Sequence, residues 1–289
     1  MDWKDPNIAK KYKPGEAMTG PFARPLIKQA GLDDSLSPTS GEKLVTLDNA
    51  CGTGILTVHL YDMLPDHAKG RINHTCGDIS QGMIDLVQSR IKEAGWKGAT
   101  TKILDAQKMD IPSNTFTHVL TNFGFVGLPD PSLVLREWHR VLQPGGTCGF
   151  TVWESVGWYS PVEAAVKSLD GPKFPTWTEF CKAFSTTDDA WEERSFFERG
   201  VEAVGFEDMR VESFENRTKH ASAREFCELY GMMCRVITEK FWSEEEKGKY
   251  GPLLEPAIEK ALQERFGEGE FSLDWKAWII TAKKPVEKN

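Results

Sequence analysis

Residues 44–153 alternate short apolar runs with longer amphipathic stretches, the pattern of repeated βαβ units around a parallel sheet. Strands are expected at 44–48, 71–77, 101–104, 116–121 and 147–153. A helix is expected from Gly54 to about Leu64. A second carries the stripe Met83, Ile84, Val87 and Ile91, and a third over 133–142 stops at Pro144-Gly145-Gly146. Beyond Glu154 the pattern loosens. Short helices are expected at 161–169 and 177–184, followed by a helix over 196–204 closed by Gly205 and an alternating strand over 207–214. Residues 223–266 read as mostly helix and 275–282 as an apolar strand. Helices set between late strands tend to cover a site rather than found a second core. The class is α/β, with no internal repeat and no low-complexity linker.

Composition narrows the partners. The 289 residues are 40% hydrophobic and 11% aromatic, ample for a globular core. A formal charge of -8 argues against nucleic acid, which needs a basic face, and the short run Lys10-Lys11-Tyr12-Lys13 does not reverse that. The six cysteines show no CxxC spacing and no histidine pair stands in a zinc pattern, so no metal site is expected. Neither a signal-type segment nor a membrane-spanning apolar run is legible, so the expectation is a soluble cytoplasmic protein with reduced thiols and no membrane partner. On that view the sequons at Asn73 and Asn216 are chance matches.

The chemistry concentrates at strand ends. The first strand runs into Asp48-Asn49-Ala50-Cys51-Gly52-Thr53-Gly54, an acid followed by small residues at alternate positions and then a helix start. Small residues let the backbone approach a ligand, and a helix N-terminus offers free N–H groups. A dinucleotide G-x-G-x-x-G fails because Ala50 and Ile55 hold the first and third glycine positions, and no GK[ST] exists for a P-loop. Asp78 ends the second strand, where a carboxylate can accept both hydroxyls of a ribose. Asp105-Ala106 ends the third strand and Asn122-Phe123-Gly124 the fourth. Singly, Asp48 or Asp78 suits a helix N-cap and Asp105 a turn before Pro112; their recurrence at four successive strand ends points to one ligand cleft.

The loop resembles motif I of class I S-adenosylmethionine-dependent methyltransferases, D/E-x-G-x-G-x-G, with Ala50 at one glycine position. Leu47-Asp-Asn-Ala-Cys-Gly52, Thr75-Cys-Gly-Asp78 with Gly82-Met83, Glu93-Ala-Gly-Trp96, Gly124-Phe125 and Lys240-Phe-Trp-Ser-Glu244 are similar to the fungal gliotoxin thiol-methyltransferase group of secondary metabolism, which shares Ala50. The resemblance runs from about Tyr12 to the C-terminus and is patchy after Trp153. It implies a Rossmann-like, mostly parallel seven-stranded sheet with a helical cap. An N-terminal helical lid is expected over 1–43, and the methyltransferase domain over 44–289 with cap insertions at about 155–190 and 216–270. S-adenosylmethionine is the implied cofactor, held by Tyr12, Thr19, Asp48, Ala50, Cys51, Gly52, Asp78, Ile79, Met83, Asp105, Ala106, Asn122 and Phe123.

Methyl transfer from a sulfonium is an in-line displacement, so the protein acts mainly by placing the nucleophile, worth roughly 7–11 kcal/mol in good intramolecular models. The lid candidates are Tyr12, Met18, Thr19 and Phe22, and an aromatic ring beside the cation would add about 0.5–2 kcal/mol. An apolar acceptor pocket is expected from Phe125, Trp153, Trp158, Met232, Met233 and Trp242, although Met and Trp at helical spacing also suit a core. No general base is identified: His118 falls inside a strand and His139 on a helix between charged neighbours. A thiol, with a pKa of about 8.5, needs no dedicated base, so acceptors rank S, then N, then O. The expected activity is methylation of a small natural product by a monomer or homodimer. The alternatives are a fold relative that does not methylate and a non-catalytic S-adenosylmethionine-binding regulator.

Overall fold

In the computed structural model the described residues are 8–33, 36, 43–187 and 189–286. The first part of the expected lid, 1–7, and its end, 34–35 and 37–42, lie outside them. Two α-helices come first among the described residues, α1 (Ile8–Tyr12) and α2 (Glu16–Gln29). There follow β1 (Leu44–Asn49), α3 (Ile55–Met63), α4 (Asp66–Lys69), β2 (Ile72–Asp78), α5 (Gln81–Ala94), β3 (Ala99–Ile103), β4 (Phe116–Thr121), α6 (Pro131–Val141) and β5 (Leu142–Ser155). The second half adds α7 (Tyr159–Ser168), α8 (Trp177–Lys182), α9 (Arg194–Val204), β6 (Glu207–His220), α10 (Ala223–Phe241), α11 (Glu244–Phe266) and β7 (Phe271–Lys283).

The seven strands form one sheet in the order β3-β2-β1-β4-β5-β7-β6. β1 to β5 run parallel, and β7 lies antiparallel between β5 and β6. The order reverses between β1 and β4, the topological switch point where open α/β sheets bind ligands beyond their carboxyl ends. The central strands are buried on both faces, which is why Leu44-Val-Thr-Leu-Asp-Asn and Phe116-Thr-His-Val-Leu-Thr read as apolar runs. Local caps fix the helices that rise from them. Ser80 Oγ accepts from Met83 N at the start of α5, Asp130 accepts from Leu133 N at the start of α6, and Gly205 closes α9 in the left-handed region with φ 98°.

The elements fall where the apolar periodicity puts them, apart from the short α4, which it does not predict, and three extensions. β5 starts at Leu142 rather than 147, because Leu142 already pairs with Phe116. β6 runs to His220 and β7 starts at Phe271, because twelve residues of each pair across the hairpin. The polar run Glu215-Asn-Arg-Thr-Lys-His220 carries no apolar alternation; it sits on an edge strand held by backbone pairing to β7, by the ion pairs of Glu215 with Lys276 and Arg217 with Asp274, and by the buried bond from Trp275 Nε1 to Thr218 Oγ1. The second cap insertion thus begins beyond 220 rather than at 216. α7 and α8 lie between β5 and α9, while α10 and α11 fill the β6–β7 connection, with α11 packed along α7. α2 is no detached flap: Phe22, Ala23, Leu26 and Ile27 are fully buried, and the helix packs on α3 and the β5–β7 end of the sheet. Glu16, at its start, pairs with Arg90 of α5 at 2.8 Å. No helix among the described residues is long and apolar enough to cross a membrane.

Candidate active site

The loop between β1 and α3 is built from backbone that L side chains rarely adopt. Ala50 has φ 50°, Gly52 φ 53° and Gly54 φ 82°. A Cβ on Gly54 would lie 2.9 Å from Val87 Cγ2, so its glycine sets how closely α3 approaches α5. Asp78 fastens the loop from the neighbouring strand: Oδ2 accepts from Gly52 N and Oδ1 from Ser80 N, both at 2.9 Å. Burial raises the Asp78 pKa, opposed by the backbone N–H groups of Ser80, Gly52 and Ile79.

These elements open onto a cavity of about 340 Å³ at the switch point. Every residue expected to contact the cofactor lines it except Asp48. Tyr12 reaches it from the end of α1, and burial together with the Asp78 charge raises the phenol's pKa. Asp48 is a correction. Successive strand side chains point to opposite faces, and this one turns behind the loop, where it is 1% exposed and accepts from Thr57 Oγ1 at 2.7 Å. The same hydroxyl lies 2.8 Å from His74 Nε2 and 3.2 Å from Cys76 Sγ. Asp48, His74 and Cys76 hold their ligand-type atoms within 4.8 Å of one another, but the Thr57 hydroxyl bonds to all three and ties them into a hydrogen-bonded knot. Burial pushes the Asp48 carboxyl up to about 7 and the His74 imidazole down to about 3.

A second chamber of about 130 Å³ adjoins the first, sharing Tyr12, Thr19, Phe123, Gly127 and Phe184 as wall. Trp153, Trp158 and Met233 line it as the sequence suggests, together with Met18. Phe123 stands at the junction with φ 59°, a strained value for an aromatic residue. Its N–H donates to Thr151 Oγ1 at 2.8 Å, and that hydroxyl donates to Asn122 Oδ1 at 3.1 Å. The Asn122 amide donates in turn to the Thr19 carbonyl at 3.0 Å, so its side chain ties α2 to the sheet.

Two expected pocket residues do not line the chamber, a third lies outside the described side chains, and the lid candidate Phe22 stays behind the wall. Phe125 is fully buried on the far side of the β4 loop, packed against Phe150, Trp191 and Trp138. Trp242 caps the end of α10 and lies in the core, its Nε1 donating to the Lys173 carbonyl. Phe22 backs the site without reaching it, edge-on to Phe123 and Trp153. The Met232 side chain lies outside what the structure describes. The histidines fall as the sequence suggests: His118 is half-buried on β4 with Nε2 at 3.2 Å from the Ala30 carbonyl, and His139 sits on α6. All six cysteines are free and buried.

Sequence reasoning missed Trp177 and Phe180 on α8 and Phe184 just past its end, whose i, i+3, i+7 spacing was a readable signal, and Glu192, which gave none. It also missed Lys240 at the rim of the first chamber.

Residues 46–146 match the family model described as a methyltransferase domain. The chain is 32% identical over 280 residues to the acetylaranotin bis-thiomethyltransferase of Aspergillus terreus, covering 96% of this chain and 94% of that one. It is 30% identical over 281 residues to the methyltransferase tpcH of Aspergillus fumigatus, covering 96% and 97%. Among solved structures, a phosphoethanolamine N-methyltransferase of Haemonchus contortus matches with a TM-score of 0.54 at 14% identity, over 99% of this chain and 60% of that one.

Proposed function

The chain belongs to the S-adenosylmethionine-dependent methyltransferases, in the group that includes the acetylaranotin bis-thiomethyltransferase, and from that premise we propose that it methylates a thiol on a small apolar molecule. The observation that carries the reading is the pair of joined chambers, one polar-rimmed at the switch point and one walled by aromatic rings, meeting at Phe123.

The first chamber fits the cofactor. Asp78 accepts from the backbone N–H groups of Gly52 and Ser80 and is also met by that of Ile79, and an ionised carboxylate offers about four acceptor sites, so capacity remains for a ribose hydroxyl. The left-handed backbone at Ala50 and Gly52 keeps bulk away from a ligand lying along the loop. Asp105 and Ala106 stand at the adenine end, and Tyr12 with Phe123 closes the end toward the second chamber. Bound there, S-adenosylmethionine supplies a methyl group on a sulfonium cation. The protein's own part is to hold an acceptor beside it and exclude water, which favours reaction chiefly through placement. The second chamber suits that part: Trp153, Trp158, Trp177, Phe180 and Met233 present apolar, adaptable surface.

The test is calorimetric titration of the purified protein with S-adenosylmethionine, with Asp78→Ala alongside, followed by incubation with small dithiols, amines and phenols and mass analysis for added methyl groups. Micromolar binding that collapses in the variant, with methyl added to dithiols first, is the expected result. Methyl added to amines or phenols but not to thiols overturns the thiol assignment, and the absence of binding to the native chain overturns the cofactor site.

A further inference from the structure

Glu192 stands apart in the second chamber. Every other side chain named above for that chamber's own wall is aromatic or a methionine, and the lining otherwise includes Cys181, Val152 and Val156. Glu192 is 8% exposed, and its Oε1 is fully buried with no hydrogen-bond partner among the described residues. A buried carboxylate oxygen left unpaired costs stability, and a fold retains one where a ligand completes it.

The local structure holds it there. Glu192 lies in the turn before α9, beside Trp191, whose indole is clamped between Phe125 and Phe196. A Cβ on Gly200 would lie 2.5 Å from that indole, so the missing side chain on α9 makes room for the ring. Glu193 N donates to the Ala190 carbonyl and closes the turn. With Trp191 fixed in the core on one side, the next residue is delivered to the chamber on the other.

We infer that Glu192 is the polar anchor of the acceptor chamber, accepting a hydrogen bond through Oε1 from an O–H, N–H or S–H group of the bound molecule. The inference deepens the reading of this chamber as an acceptor site and rests on it. It narrows the acceptor to an apolar, ring-sized molecule bearing a hydrogen-bond donor. Such a site discriminates strongly against an isostere that lacks the donor, because the carboxylate then stays buried and unpaired.

The experiment uses the full chain saturated with S-adenosylhomocysteine. Calorimetry compares benzyl mercaptan and benzylamine with ethylbenzene, a probe of similar shape without a donor. It is run on the native protein, Glu192→Gln and Glu192→Leu, with thermal unfolding of each. The native chain is expected to prefer the donor-bearing probes by roughly 10- to 100-fold, the range of a hydrogen bond to a charged group. Glu192→Leu should lose that preference while its Tm holds or rises, since an unpaired buried carboxylate has been removed. Glu192→Gln, which keeps an acceptor oxygen but not the charge, should keep part of it. A native chain without preference overturns the inference. So does a Glu192→Leu variant that keeps the preference, or one whose Tm falls, which would mark Glu192 as structural. None of these readouts depends on methyl transfer, so a chain that binds the probes as expected but methylates no thiol fails the functional reading and leaves the anchor standing.

Discussion

The Phe123 ring lies on the Trp153 indole with centroids 3.7 Å apart and planes 16° from parallel. Phe123 borders both chambers and Trp153 only the second, so this stack fixes the position of the wall they share. Stacked pairs are worth about 0.5–1.5 kcal/mol beyond the area they bury. Trp153→Leu is therefore expected to raise the acceptor KM several-fold while the S-adenosylmethionine dissociation constant, measured by calorimetry, changes by less than a factor of about three.

Thr151 is the hinge pin of that wall. Its hydroxyl accepts from Phe123 N and donates to Asn122 Oδ1, and it is fully buried. Thr151→Val keeps the shape and removes both bonds, leaving an N–H and an amide oxygen unpaired at a cost of about 1–3 kcal/mol. Urea unfolding should show that loss, and both cofactor affinity and kcat should fall because Phe123 no longer holds φ 59°. Thr151→Ser should recover most of each, an outcome a purely volumetric role for Thr151 would not produce.

Ala50 and Gly124 are fitted to each other. A Cβ on Gly124 would lie 3.1 Å from the Ala50 methyl and 2.5 Å from Thr121 Oγ1. Gly124→Ala is expected to weaken S-adenosylmethionine binding at least about tenfold by pushing the two loops apart. Adding Ala50→Gly removes one of the two contacts, so the double variant should bind more tightly than Gly124→Ala alone. Additive losses in that double-mutant cycle would show that the loops do not press on one another.

Asp48 gives a pH signature. Its folded pKa, about 7, lies above the ordinary 3.8, so between those values the folded chain holds a proton that the unfolded chain has released. Stability from this group is present below pH 3.8 and is lost as pH rises toward 7. Asp48→Asn cannot titrate. The difference in unfolding free energy between variant and native chain should shift in the variant's favour by about 1.4 kcal/mol per pH unit across that window, then level off. Denaturant titrations from pH 4 to 8 check it, and a difference independent of pH would mean that Asp48 stays ionised in the fold.

The sheet and the ligand cleft were legible because small residues and acids at strand ends have few other uses that recur four times in succession. What failed did so by direction. Asp48 and Asn49 lie next to each other on one strand, and Phe123 and Phe125 two apart on one loop, yet only Phe123 faces the cavity. Composition and period say that such residues are buried or polar, not which side of the sheet receives them. Trp242 shows the same limit at a helix end, where the core and the chamber are both apolar. Glu192 was hidden differently. Flanked by Asp188, Asp189 and Glu193, it reads as one more charge in a solvated loop, and only the clamped Trp191 reveals that it turns inward.

The place of β7 has a consequence for how the molecule comes into being. This strand is synthesised after both of its neighbours, yet it sits between them, and β5 and β6 reach each other only through it. On the ribosome, β1 to β5 can assemble as they emerge, while β6 and the cap helices wait without a seat until residue 271 and beyond have left the tunnel. Trp275, fully buried beneath Trp153, arrives with that last strand. The wall against which an acceptor would rest is thus among the final parts to set, and a nascent chain could cradle the nucleoside well before it could grip anything to modify.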